Sequence, residues 1–138
     1  MLEKYTFGQH DHTDITVIKC GTEDCLPGHN WGPGVRSHYI LHLITSGQGV
    51  LSTGNRNYKL AKGDIFLISP DIVAEYRADD ADPWSYVWVG FRGLIADSLC
   101  REAGLNSKHP VCKSDSNSRL ADIISRMLKF SSGSRQHE

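Results

Sequence analysis

The sequence predicts a mainly β protein, a closed barrel or sandwich of short strands followed by two C-terminal α-helices. Three observations carry that expectation. From Ser37 to Phe91, short β-rich runs alternate with turn signals and no helical stretch intervenes. After Gly93 the apolar spacing changes from every second residue to a helical period. The chain has 138 residues, 39% of them hydrophobic, which suits one domain built around one core.

Taken in order, residues 1–14 are polar, carry Glu3, Lys4, Asp11 and Asp14, and read as an arm leading to a first strand, "ITVIKCG". The barrel is expected over residues 15–92. Within it, Gly, Pro and Asn punctuate "LPGHNWGPG", Leu26 to Gly34, which reads as a loop longer than a turn. Strand runs follow as "HYILHLITS", "GQGVLSTG", "NRNYKL", "KGDIFLIS", "AEYRA" and "WSYVWVGF", and closing them into a barrel hides the sheet edges. The piece Ser52-Thr53-Gly54-Asn55 supplies hairpin turn chemistry.

Residues 93–130 form the helical segment. "LIADSLCREAG" places Leu94, Ile95 and Leu99 near helical spacing, with Gly104 as a C-terminal stop. "SRLADIISRMLKF" sets Leu120, Ile123, Ile124, Met127 and Leu128 at i, i+3, i+4, i+7 and i+8, and Asp115, Ser116 or Asn117 is placed to cap its start. Such a stripe packs on its own domain or on a partner; Leu120, Ile124, Met127 and Leu128 are the face expected at a dimer contact. The closing "SSGSRQHE", residues 131–138, has the composition of a linker to a further domain.

The bulk chemistry excludes several classes of function. Fifteen Lys and Arg against sixteen Asp and Glu leave a net charge of -1, so there is no basic field to hold nucleic acid phosphates. No apolar run approaches the roughly 20 residues of a membrane span, and the start lacks the apolar centre of a signal peptide. Cys20, Cys25, Cys100 and Cys112 form no CxxC pair. A soluble cytoplasmic protein with reduced thiols is expected.

Seven histidines raise the question of a metal. A β-barrel metalloenzyme supplies an H-x-H pair with a nearby Glu from one strand and a further His from a later one, all pointing inward. His38 and His42 share a strand face but stand about 13 Å apart along it, too far for one ion. Ala74 lies near the place where the last ligand is needed, and the pair His10 and His12 belongs to the polar arm. No metal or other cofactor is expected. No G-x-S-x-G, H-E-x-x-H or phosphate-binding glycine loop is present, and Asp79, Asp80 and Asp82 crowd a polar turn. No catalytic residue is assigned, and the protein is not expected to be an enzyme.

The aromatics carry the strongest signal. In "DPWSYVWVGFRG", Asp82 to Gly93, period two puts Trp84, Tyr86, Trp88 and Gly90 on one face and Ser85, Val87, Val89 and Phe91 on the other. The Val/Phe face suits a dry helix contact. The Trp/Tyr rings carry N–H and O–H groups that need partners when buried, so this face either fills the barrel or receives a half-polar ligand such as a sugar. Tyr76, Trp31 and Arg36 are its candidate companions, and Trp84, beside Pro83, stands between rim and core.

The segment from Arg36 to Gly93, with Y-x-L-x-x-x-x-S-G-x-G, then G-D-x-F-L-I-x-P, then D-P-W-x-Y-x-W-x-G-F, resembles the N-terminal effector-binding domain of AraC-type transcription regulators. "CLPGHNWGPGVR" is similar to the branch that controls raffinose and multiple-sugar operons. The resemblance implies a cupin-like barrel (a double-stranded β-helix or jelly roll) that has lost its metal and holds a sugar, and helices that form a homodimer. It also implies a separate C-terminal DNA-binding domain with two helix-turn-helix units, absent from these residues. In the arabinose-responsive member the sugar contacts are a Tyr, a His and a Trp matching Tyr76, Tyr86 and Trp88, with an Arg whose position falls near Gly32 and whose nearest substitute is Arg36. The ligand-binding set expected here is therefore Trp31, Arg36, Tyr76, Tyr86 and Trp88, for a neutral mono- or oligosaccharide. Two rivals are a cupin-type metal-dependent enzyme acting on a sugar-like substrate and a dimerisation module whose aromatics are all core.

Overall fold

The computed structural model describes residues 3–6, 14–93, 96–113, 122 and 124–125. The strands run β1 Glu3–Thr6, β2 Asp14–Asp24, β3 Asn30–Gly34, β4 Tyr39–Ser46, β5 Gln48–Thr53, β6 Arg56–Ala61, β7 Ile65–Ile68, β8 Ala74–Ala78, β9 Ser85–Arg92 and, after helix α1 Ala96–Glu102, β10 Val111–Cys112. They form two sheets, ordered β1-β2-β9-β4-β7-β10 and β3-β8-β5-β6. The antiparallel pairs nest: β5 with β6, β4 with β7, β3 with β8 and β2 with β9. A long hairpin rolled on itself in this way is the double-stranded β-helix, with its core between two facing sheets.

The hairpin turn lies where the sequence puts it. Gly54 and Asn55 both have positive φ, 59° and 63°, the left-handed pair that a two-residue turn matched to strand twist requires. The carboxylates of the β8–β9 connection have a structural job: Asp79 Oδ2 accepts hydrogen bonds from the N–H groups of Ala81 and Asp82 at 3.0 and 2.9 Å, which fixes the polar turn.

Three differences from the sequence reading have physical causes. Glu3–Thr6, expected within an arm, pairs with β2 from Val17 back to Asp14 and covers an edge that would otherwise expose unpaired backbone groups. Asn30–Gly34, expected as loop, is strand β3 with an irregular register between Trp31 and Gly34; Gly and Pro are tolerated there because β3 lies at the sheet edge. The dipeptide Val111–Cys112 is too short for a periodic signal and is recruited as an edge partner of β7. Of the second expected helix, Asp122, Ile124 and Ser125 are helical, and Leu120, Met127 and Leu128 lie outside the described residues.

Helix α1 ends as expected at Gly104, φ 78°. The Leu105 N–H donates to the Cys100 carbonyl at 2.8 Å and the Gly104 N–H to the Arg101 carbonyl at 2.9 Å, which satisfies the last-turn acceptors. Cys100 and Leu105, both buried, then pack into the same apolar cluster.

Strand β9 divides the core. It lies between β2 and β4, paired to both along its length. Val89 and Phe91 face outward into a cluster with Cys20, Leu41, Ile65, Leu67, Cys100, Leu105 and Ile124. Trp84, Tyr86 and Trp88 face inward among Ile40, Ile44, Leu51, Phe66, Ile68 and Tyr76. Trp84 is core: it is 1% exposed, its ring stacks on Phe66 with centroids 5.6 Å apart, and its carbonyl accepts from the Cys25 N–H at 3.1 Å.

The Trp84 ring fits because position 49 has no side chain. A Cβ at Gly49 would stand 2.6 Å from both Trp84 Cδ2 and the Arg77 carbonyl. Gly49→Ala is therefore expected to destabilise the fold by about 2 kcal/mol or more through overpacking, read as a lowered denaturation midpoint at unchanged slope.

Candidate functional site

The inner face gathers polar-edged rings from four places in the chain. Strand β8 presents Tyr76, β3 presents Trp31 opposite it in register, the β3–β4 connection presents Arg36, and β9 presents Tyr86 and Trp88. Trp31 and Tyr76 stack with centroids 5.2 Å apart and planes 21° apart. The Arg36 guanidinium carbon sits 4.1 Å from the Trp31 ring centroid, and Arg36 Nη2 donates to the Tyr76 hydroxyl oxygen at 3.3 Å. Its own carbonyl accepts from the Asp71 N–H at 2.9 Å, tying this cation to the β7–β8 loop. Tyr86 meets Tyr76 edge-on at 6.4 Å.

Sequence reasoning missed the residue at the centre of this group. His42 is fully buried, stacks on Phe66 at 4.2 Å, and meets Tyr76 and Tyr86 edge-on, each at 4.9 Å. The available signal was the alternation of "HYILHLITS", which puts His42 on the same inward face as Ile40 and Ile44. A polar ring on an otherwise apolar face is the informative observation. Lys19 was also missed; its Nζ stands 6.0 Å from the centroid of the Trp88 ring.

Trp88 lies opposite His42 on one side and Gly21 on the other. It is 1% exposed, and its indole Nε1 is buried with no hydrogen-bond partner among the described residues. A donor left so costs about 1–3 kcal/mol and requires an explanation. An acceptor brought by a ligand supplies one. Among the described residues no three His, Cys, Asp or Glu side chains converge as metal ligands. Of the residues expected at a partner contact, Ile124 is 1% exposed within the chain's own outer cluster. The other three lie outside the described residues.

At the margin of the inner face stands His38. Its Nδ1 is 3.3 Å from the Ser37 hydroxyl, and a Cβ at Gly90 would lie 2.8 Å from its Nε2. Burial lowers the His38 pKa below its ordinary 6.5, and the positive charges of Lys19, Arg36 and Arg92 lower it further.

The family model described as AraC-like ligand binding domain matches residues 16–138. The Msm operon regulatory protein of Streptococcus mutans is 37% identical over 117 residues, which are 85% of this chain and 42% of that one. The raffinose operon transcriptional regulatory protein of Pediococcus pentosaceus is 38% identical over 118 residues, 84% of this chain and 43% of that one. The chain thus spans about two fifths of the length of the curated relatives it matches. Among solved structures, a cupin 2 conserved barrel domain protein from Salinispora arenicola superposes with a TM-score of 0.45 and 11% identity, covering 73% of this chain and 82% of that one.

The His38 environment has a thermodynamic signature. The unfolded chain takes up a proton as pH falls through about 6.5, and the folded chain resists until a lower pH, so stability falls with acidification across that window. Thermal denaturation between pH 8 and pH 5 is expected to show a smaller loss of Tm in His38→Gln than in the native protein. Equal losses would assign the acid sensitivity to other groups.

Proposed function

The chain belongs to the AraC-like ligand binding domain family, and from that premise we propose that its barrel binds a neutral mono- or oligosaccharide and performs no chemistry on it. The occupied barrel then governs a DNA-binding helix-turn-helix domain of the longer protein, in the cytoplasm, and through it the transcription of sugar-utilisation genes. The observation that carries this reading is the inward platform of Trp31, Arg36 and Tyr76 beside the partnerless indole N–H of Trp88. A pyranose offers C–H faces to aromatic planes and hydroxyls to an indole N–H, a phenol and a guanidinium fork. Tyr86 completes the contact set. The names of the relatives, a raffinose and an Msm operon regulator, favour the same class of effector.

A sugar shifts an equilibrium only by its differential affinity for two states. Arg36 is the residue through which that difference is expressed in this proposal, because it joins the platform to the β7–β8 loop. Dimerisation through the helical segment carrying Leu120, Ile124, Met127 and Leu128 belongs to the same reading. Ile124 packs on its own barrel, so this reading assigns the partner contact to the other three.

Calorimetry against glucose, galactose, sucrose, melibiose and raffinose is expected to find at least one binder. Tyr76→Phe keeps the ring and loses the hydroxyl, and it is expected to weaken that binding about tenfold. No heat with any saccharide, together with unmoved Trp fluorescence, overturns the proposal. Sedimentation equilibrium is expected to give a dimer that Leu128→Arg dissociates; a native monomer at high concentration counts against the interface.

A further inference from the structure

Like Trp88 Nε1, His38 Nε2 is a buried polar atom with no hydrogen-bond partner among the described residues. His38 precedes β4 in the alternation that sends Ile40 and His42 inward, and its imidazole lies over the backbone of Gly90, two residues beyond Trp88 on the same face of β9. Any side chain at position 90 would occupy its place. Lys19 is the register partner of Gly90, and Gly21 that of Trp88. In the strand register His38 stands two rows from Trp88, with the row of Ile40 and Gly90 between them, but its imidazole leans over Gly90 and so reaches the row next to Trp88, about 7 Å along the strand, a gap that one saccharide ring with its hydroxyls bridges.

We infer that His38 contacts the effector directly, its Nε2 exchanging a hydrogen bond with a hydroxyl of the sugar that rests on Trp88, and that it thereby selects among sugars differing in the configuration at that carbon. The inference rests on the saccharide reading above and adds a residue to it. The ring is held by Ser37 at Nδ1 and given room by Gly90. The charged groups around it are Lys19 from β2, Arg36 from the β3–β4 connection and Arg92 from β9, all cationic. Their company favours the neutral imidazole, which carries one N–H and one lone pair. A hydroxyl, both donor and acceptor, matches either tautomer. A site that hydrogen-bonds a hydroxyl rejects the analogue lacking it far more strongly than an apolar pocket does.

The test uses the best-binding sugar of the panel, its monodeoxy analogues, and the native, His38→Ala, His38→Gln and Tyr76→Phe proteins. His38→Ala is expected to weaken the parent sugar about tenfold. One deoxy analogue should be weakened for the native protein and insensitive to His38→Ala, because the contact is already missing. Should the alanine variant fail to fold, His38→Gln and the imidazole nitrogen resonances of the native protein serve instead; saturating sugar is expected to move the His38 Nε2 signal. Two failures are distinguishable. If the native protein binds no saccharide, the saccharide reading falls and this inference with it. If it binds and Tyr76→Phe weakens it, while the His38 variants match the native affinity and the Nε2 signal stays still, the His38 contact alone is overturned.

Discussion

The structure depends on one strand having two different faces and a neighbour on each edge. β9 is hydrogen-bonded to β2 and β4, so its backbone is satisfied wherever its side chains go, and both faces can be apolar. Each large side chain buried this way contributes about 1.5–3 kcal/mol. The outward Val87, Val89 and Phe91 secure α1 to the barrel, and the inward Trp84, Tyr86 and Trp88 build the interior. The dry outer contact and the polar-edged inner face are thereby separated by a single residue step along one strand.

The two faces obey different rules. Outside, aliphatic side chains, thiols and Phe91 form the buried cluster, with Tyr39 stacked at its margin. Inside, His42, Tyr76, Tyr86, Trp31 and Trp88 bring polar edges into a space where each must find a partner. The Tyr76 hydroxyl accepts from Arg36, whereas the Trp88 indole N–H finds no acceptor among the described residues. An interior optimised only for stability would fill these positions with aliphatics at lower risk. Conflict between local chemistry and packing of this kind is where function is expected in a folded chain.

Legibility in the sequence follows the same physics. Period two in "WSYVWVGF" and "HYILHLITS" made the strands and the two faces of β9 visible, because alternation is imposed by a half-buried pleat. Gly104 announced the end of α1 because a left-handed residue is needed there. Strand β3 was hidden by its Gly and Pro, which an edge position tolerates, and β1 by the polarity of the residues around it. Of the inner-face residues, period two identified Trp88 and Tyr86 as a pair of rings but could not tell filler from contact; the proposal that they are contacts rests on the family resemblance. His42 was overlooked because it was weighed as a metal ligand against His38, and its surroundings are rings contributed by β7, β8 and β9, distant in the chain.

The nested strand pairing has a consequence in time. Only β5 and β6 pair across a short turn; every other pair of the roll waits for chain made much later, and β2 finds β9 only after some sixty intervening residues. Pairings this distant in sequence are slow to form. During synthesis β2 therefore remains without its β9 partner until β9 has left the ribosome, and β9 is the strand that brings Tyr86 and Trp88. No shorter nascent chain holds the full set of inner rings, so the interior that Trp84, Tyr86 and Trp88 build closes only when the roll is complete.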